Sequence, residues 1–106
     1  MLFRSLNITT QTFRSSDFSV EGVKADRILN LCQKISATHY LTGHLANDYL
    51  SGVNFSQKGV ELEYQEYDHP RYSQQYSEFI PNLSLVDLLF NAGDKSLDVL
   101  MNLNTN

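Results

Sequence analysis

The sequence predicts an α/β fold with a small, mostly parallel three-stranded sheet, crossover helices packed on it, and two C-terminal helices. Short β-branched and aromatic runs occur three times, near residues 6–13, 38–42 and 60–67. A helical apolar periodicity separates the first two runs, and strands joined through a helix pair in parallel. Two further apolar helical patterns follow residue 84. These observations together favour α/β over an all-helical or all-β class.

The first half of the chain contains the clearest helix. Residues 6–13 predict a strand because they are rich in β-branched and aromatic side chains. From residue 23 to 35 apolar side chains recur at steps of three and four, which predicts an amphipathic helix. Its apolar members are Ala25, Ile28, Leu29, Cys32 and Ile35. The second strand covers residues 38–42, and shorter helical pieces or turns are expected over residues 45–51 and 53–58.

The second half of the chain begins with a predicted strand and ends with two predicted helices. Residues 60–67 alternate apolar and charged side chains, which predicts a strand with one solvated face near a sheet edge. Residues 68–81 contain both prolines and several aromatic rings, and they predict a long irregular loop of a kind that is often functional. Ser84 and Asp87 form an acidic variant of the capping box before an apolar helix over residues 85–90. A shorter helix follows.

Length and charge exclude several classes of function. The chain has 106 residues, 42% hydrophobic and 19% charged, which is enough for one modest core. A domain of this size buries about two thirds of its unfolded surface, so a two-lobed enzyme with an interdomain cleft is excluded. The net charge of −4 argues against binding to a phosphate backbone, which requires a basic surface. We therefore expect no nucleic-acid partner.

Cysteine content and hydropathy suggest the compartment. The single cysteine, Cys32, cannot form an intramolecular disulfide, and this suits a reducing environment. No apolar run approaches the roughly 20 residues of a membrane span, and residues 1–16 are too polar for a signal peptide. We expect a cytoplasmic protein without a membrane span. Because Cys32 lies on the apolar face of the predicted helix, it is expected to act as a small hydrophobic residue.

The first candidate for catalysis is His69, with Asp68 beside it. A histidine next to a carboxylate can act as a general acid or base near neutral pH, and Pro70 holds the preceding backbone extended. The alternative is that His69 only ends the strand or hydrogen-bonds within the loop. Tyr72 and other tyrosines could stack on a sugar, or they could pin the loop to its own domain.

Two more candidate segments follow predicted strands, at the rim where open α/β sheets bind ligands. The first comprises Arg14, Ser15, Ser16 and Asp17. Its guanidinium, hydroxyl and backbone N–H groups could bind a phosphate at a helix N-terminus, or the segment could be an ordinary polar turn. The second comprises Tyr40 and Gly43, where glycine would permit a positive φ or close ligand approach.

No cofactor and no metal are expected. Gly43 stands alone, and neither the dinucleotide-binding glycine pattern nor the phosphate-loop pattern occurs. The three histidines, together with Asp48 and Asp68, show no spacing that is typical of a metal site.

Several motifs follow one another between residues 14 and 93. They are RSSDF, ADRILNLC, ATHYLTG, DYL, VELEYQEYDHPRY and FIPNLSLVDLLFNAG. In this order they resemble the C-terminal half of the WbqC-like protein family of bacteria, in which HYLSG, Y-x-HP-x-Y and FxPxLSxxDLLFNxG patterns recur. Thr42 stands where the family usually has Ser, and Ala92 stands where it often has Cys.

The resemblance implies that the chain is part of a longer protein. Family members open with an aromatic region similar to Q-P-x-Y-x-P-W-x-G-Y-F, which does not occur before Leu6. We therefore expect residues 6–102 to be the C-terminal half of a WbqC-like domain, residues 1–5 to be a candidate non-native leader, and residues 103–106 to be a frayed tail. The N-terminal half of the domain is then the expected partner.

The resemblance also implies a role in making bacterial surface polysaccharide such as O-antigen. The expected activity is transfer of an amino-acid or acyl group to an amino sugar, with a nucleotide-linked sugar as the small-molecule substrate. His69 and Asp68 would then supply acid/base chemistry. The alternative is a non-catalytic binding or assembly module of the same pathway, in which the aromatic loop and the helix over residues 85–90 dock onto a partner chain.

Overall fold

A computed structural model describes residues 2–102, which form two compact units. The first unit is Thr12–Tyr67, and the second combines residues 2–11 with residues 68–102. Within this range the secondary structure is mixed, with short helices and one parallel sheet, which confirms the α/β class. The predicted frayed tail at residues 103–106 lies outside the described residues. None of the described helices is long and apolar enough to cross a membrane.

The sheet in the first unit consists of β1 (His39–Gly43) and β2 (Glu61–Gln65). The two strands pair in parallel, with His39 opposite Glu61 and Gly43 opposite Gln65. In β2 exposed and half-buried residues alternate, so the prediction of one solvated face is confirmed. Both predicted strands after residue 38 are therefore present.

No strand forms over residues 6–13, where the sequence predicts one. Helix α1 (Leu2–Ser5) is completed by residues 6–8, because the Ile8 N–H donates to the Phe3 carbonyl oxygen at 2.8 Å. Asn7 has a φ of +56°, a left-handed conformation that does not occur in a regular strand. Residues 7–17 are all exposed, and β-propensity reflects packing on a half-buried sheet surface that is missing here. In the described part of the chain the sheet has two strands rather than three.

Helix α2 (Lys24–Lys34) provides one wall of the first unit's core, as predicted. The side chains that it buries are Ala25, Leu29 and Cys32. They pack with Leu50, Phe55 and Val60, which come from the connection between the two strands. Because these six residues form one cluster, α2 and the strand connection are held together mainly by burial of apolar surface.

The connection from β1 to β2 is built from short pieces. It contains a 3₁₀ turn at His44–Ala46, helix α3 (Asn47–Leu50) and a second 3₁₀ turn at Ser56–Lys58. Parallel strands require such a crossover, since a tight hairpin would reverse the chain. Gly59 ends the connection at a φ of +75°, a value that favours glycine.

In the second unit the long loop leads to two helices. Residues 66–84 contain no helix or strand, so the predicted loop over residues 68–81 is present and the preceding strand ends two residues earlier than predicted. Helix α4 (Leu85–Ala92) begins at Ser84, whose hydroxyl accepts a hydrogen bond from the Val86 N–H at 3.2 Å. Helix α5 (Ser96–Leu100) follows the 3₁₀ turn Gly93–Lys95. Only the serine side of the predicted capping box forms there, because the Asp87 carboxylate is hydrogen-bonded to other side chains.

Candidate functional site

The loop of the second unit carries a cluster of three half-buried rings, His69, Tyr72 and Phe79. The His69 ring lies 6.0 Å from the Tyr72 ring and 6.2 Å from the Phe79 ring, measured between centroids. Tyr72 and Phe79 meet edge to face at 5.7 Å and 88°. Such aromatic pairs are stabilising beyond the area that they bury. The ring cluster therefore gives an otherwise irregular loop a fixed local structure.

The Nδ1 atom of His69 is buried and has no hydrogen-bond partner. Buried polar side-chain atoms in folded proteins nearly always have one, and each exception calls for an explanation such as a bound ligand or a catalytic role. This atom distinguishes His69 from His39, whose two ring nitrogens contact Thr38 and Glu61.

Asp68 is exposed, and it is not the partner of the His69 Nδ1 atom. The strand β2 ends at Gln65, so His69 lies within the loop rather than at a strand end. The expected position of His69 at the strand end is therefore wrong, and the acid/base role of His69 and Asp68 stays a prediction.

The Tyr72 hydroxyl is held by a carboxylate from α4. It donates a hydrogen bond to Asp87 Oδ2 at 2.6 Å, and Gln74 Nε2 approaches the same oxygen at 3.4 Å. Asn91 Nδ2 donates to the other carboxylate oxygen at 3.2 Å. Gln74 also makes two 2.9 Å hydrogen bonds with the backbone of Ile80. Asp87 thus fixes the aromatic loop to the first turn of α4.

Burial raises the pKa of the Tyr72 phenol above its ordinary value. The hydrogen bond to Asp87 and the charge of that carboxylate raise this pKa further, whereas the hydrogen bond with Gln74 lowers it. Tyr72 therefore stays protonated at neutral pH and acts as the donor to Asp87. Its hydroxyl is engaged within the protein, and its ring is the part of the side chain that can contact a ligand.

A polar groove of about 490 Å³ lies beside the ring cluster. It is lined by Arg71, Tyr72, Ser73, Gln74, Tyr76, Ser77 and Phe79. The guanidinium carbon of Arg71 lies 4.4 Å from the centroid of the Phe79 ring, a cation–π arrangement. The groove therefore combines aromatic faces with hydroxyl, amide and guanidinium groups.

The predicted phosphate-binding segment lies in the first unit. Ser15–Asp17 form a single 3₁₀ turn, and Arg14 precedes it. All four residues are exposed, but α2 begins only at Lys24. These groups are therefore not placed at the N-terminus of that helix, where their position in the sequence predicts them.

Tyr40 and Gly43 also lie in the first unit. The Tyr40 ring stacks on Phe55 at 5.9 Å and 10°, and it packs against the core. Gly43 has a φ of −70°, and a Cβ built there meets no atom within 4 Å. Neither a positive φ nor a close approach therefore requires glycine at this position. Gly43 does lie at the carboxyl end of β1, and ligand contact at these two residues stays a prediction.

Three residues of the loop and α4 were not anticipated as parts of a site. They are Arg71, Gln74 and Asp87. The Ser84-x-x-Asp87 spacing indicates capping, and nothing local reveals that the Asp87 carboxylate meets Tyr72, fifteen positions earlier. Among residues 2–102 no group of three or more His, Cys, Asp or Glu side chains is arranged to hold a metal ion.

Comparison with known proteins gives a family and a relative. The sequence profile of the WbqC-like protein family matches residues 1–99. An uncharacterized protein of Mycobacterium tuberculosis, Rv1507c, is 35% identical over 96 residues. The aligned region is 90% of this chain and 42% of the relative, so the chain spans less than half of the relative's length. No solved structure matches the chain.

Proposed function

The chain belongs to the WbqC-like protein family, and on this basis we propose that it is a transferase of bacterial surface polysaccharide biosynthesis. The proposed reaction moves an amino-acid or acyl group onto the amino group of a nucleotide-linked sugar, as in O-antigen assembly. The observation that carries the proposal is the buried, unpartnered Nδ1 of His69 inside a cluster of aromatic rings. A cytoplasmic location is part of the proposal, since the single cysteine suits a reducing compartment.

In this reaction the amine nitrogen of the sugar attacks the carbonyl carbon of the donor. A C–N bond forms, and the bond from the carbonyl carbon to its oxygen or sulfur leaving group breaks. His69 accepts the proton from the attacking nitrogen and returns it to the leaving group. Asp68, exposed next to His69 in the chain, is the second proposed acid/base residue. No cofactor is needed for this step.

The neighbouring rings suit a sugar substrate. A pyranose presents apolar C–H faces and a hydroxyl rim, and aromatic faces with nearby polar groups complement both. Tyr72 is the substrate contact that best fits this role, because its hydroxyl is bound to Asp87 and its ring is fixed. In the first unit, the exposed Arg14–Asp17 segment is a weaker candidate for a substrate contact.

Product formation tests the proposal directly. The 106-residue chain and the mycobacterial relative are each incubated with nucleotide-linked amino sugars and acyl or aminoacyl donors, and the amide product is sought by mass spectrometry. In this chain His69→Gln should abolish product while lowering Tm only by the loss of its ring contacts, whereas the matched change His39→Gln should leave product formation intact. Absence of product from both proteins with every pair contradicts the proposal. A lower Tm with unchanged turnover for His69→Gln would make His69 a structural residue.

A binding or assembly module is the second candidate, and exposed apolar side chains favour it. On α4 the Phe90 side chain is 82% exposed, and in the adjoining loop Tyr76 is 76% exposed. Large exposed apolar side chains that share one face are typical of docking surfaces. Phe90 and Tyr76 line the same surface pocket as Ile80 and Leu83. If this is the function, Phe90→Ser should abolish capture of a pathway protein, and His69→Gln should have no effect.

A further inference from the structure

Arg71 is held in place by the ring cluster and is not neutralised by a neighbour. Its guanidinium carbon lies 4.4 Å from the Phe79 ring centroid. Phe79 is held edge to face by Tyr72, and Tyr72 is hydrogen-bonded to Asp87. Within residues 2–102 the ion pair that forms is His39–Glu61, so no carboxylate lies within ion-pair distance of Arg71. Arg71 is therefore an exposed cation that lines the groove beside Phe79.

The groove beside Arg71 is complementary to an anion. The chain has twelve acidic residues and a net charge of −4, yet no acidic residue is among those that line this groove. Ser73, Tyr76 and Ser77 in the lining carry hydroxyl groups, whereas the Gln74 amide is already hydrogen-bonded to Ile80 and Asp87. Hydroxyl groups can donate to phosphate oxygens, and a planar guanidinium binds two of these oxygens at once.

Arg71 and His69 contact the same ring. The His69 and Phe79 centroids are 6.2 Å apart, and the Arg71 guanidinium stands over Phe79. Both side chains therefore belong to one cluster around Phe79, and of the two Arg71 lines the groove.

From these observations we propose that Arg71 binds the phosphate attached to the anomeric carbon of a sugar substrate. The groove is then a site for a sugar phosphate or nucleotide-linked sugar, with the phosphate on Arg71 and the sugar ring toward His69. The proposal rests on the proposed function for the sugar, while the phosphate contact is a property of the groove itself. Phosphate also occurs in acyl donors such as coenzyme A thioesters, and the experiment separates the two sources.

Isothermal titration of the 106-residue chain with four probes provides the test. The probes are UDP-N-acetylglucosamine, UDP, free N-acetylglucosamine and coenzyme A. We expect UDP-N-acetylglucosamine to bind with an affinity that falls as NaCl rises, because salt screens the contact. Arg71→Gln should weaken it about tenfold to a hundredfold, the range for a hydrogen bond to a charged group. Arg71→Lys retains the positive charge but not the planar guanidinium, so its affinity for UDP-N-acetylglucosamine should fall several-fold.

Two controls make the result specific. Arg4→Gln makes the same charge change at an exposed arginine in the same unit and should bind normally. Arg71→Lys retains the cation over Phe79, and equal Tm values for the wild type and this variant exclude a folding defect.

Any of three binding results overturns the proposal. Equal affinity of wild type and Arg71→Gln, equal affinity of free N-acetylglucosamine and its UDP form, or no binding by any probe would show that Arg71 is not a phosphate contact. Arg71-dependent binding of coenzyme A alone would place the phosphate on the donor. If Arg71→Gln forms as much amide product as the wild type, the phosphate contact is overturned and the proposed transferase activity stands. If binding of the sugar nucleotide depends on Arg71 but no amide product forms, the phosphate contact stands and the transferase activity is overturned.

Discussion

Replacing Tyr72 with Phe removes one hydroxyl and keeps the ring. The lost group is the 2.6 Å donor to the Asp87 carboxylate, and hydrogen bonds to charged groups contribute about 1.5–3 kcal/mol. Asn91 and Gln74 still approach the carboxylate in the variant, so we expect the unfolding free energy to fall by the lower end of this range, about 1.5 kcal/mol. For a chain of this length such a loss lowers Tm by on the order of 6–12 °C.

Urea unfolding followed by circular dichroism measures this loss. Tyr76→Phe is the matched control, since it removes the same group from an exposed tyrosine of the same loop, and its effect should stay within about 0.5 kcal/mol. A double-mutant cycle with Asp87→Ala should give a coupling energy of about 1 kcal/mol. Additive effects of the two changes, or equal effects of Tyr72→Phe and Tyr76→Phe, would refute the argument that Asp87 holds the loop through Tyr72.

The same pair predicts a pH dependence. The pKa of Tyr72 is raised in the folded protein, first by burial and then by Asp87, so the folded state holds the phenolic proton more tightly than the unfolded state does. The stabilisation is fully present below the unfolded value of about 10, and it is lost as pH rises through the folded pKa. The difference in unfolding free energy between wild type and Tyr72→Phe should therefore shrink in this alkaline range. A stability difference that stays constant as pH rises would contradict the raised pKa of Tyr72 in the folded protein.

Three further predictions concern the first unit. Leu50→Ala should lower the unfolding free energy by about 2–5 kcal/mol in urea titrations, because Leu50 is fully buried in the core; a loss below 1 kcal/mol would contradict this. Burial raises the pKa of the Cys32 thiol, so iodoacetamide should modify Cys32 slowly at pH 8 and rapidly once urea is added, as followed by mass spectrometry. Gly59→Ala should cost about 1 kcal/mol at its positive φ, whereas Gly43→Ala should be neutral within about 0.5 kcal/mol; equal values would argue against the turn geometry.

The elements that sequence predicts well are those whose signal is local. The three- and four-residue spacing of Ala25, Leu29 and Cys32 is enough to place α2 and its buried face. The alternation in β2 likewise fixes which of its side chains are exposed. In both cases the pattern repeats within one element, so the neighbours in sequence carry the information.

The elements that sequence predicts poorly depend on distant neighbours. Residues 6–13 have the composition of a strand, but a strand forms only where another strand offers hydrogen bonds, and the left-handed Asn7 closes a helix there instead. The partner of Asp87 is likewise not local, because Tyr72 belongs to an irregular loop. The sequence therefore predicts His69 and Tyr72 as candidate residues, but it does not predict the contact between Tyr72 and Asp87 or the position of Arg71 over Phe79.

The two-stranded sheet has a consequence for how the protein behaves in concentrated solution. Each strand has one neighbour in the described part of the chain, so each leaves one row of backbone N–H and C=O groups without a strand partner. Charged side chains discourage pairing between the edges of separate molecules, and β2 carries Glu61 and Glu63. β1 has no acidic residue and presents Leu41, which is 57% exposed. We therefore expect self-association to begin at β1, and Leu41→Lys to raise the concentration that the protein tolerates.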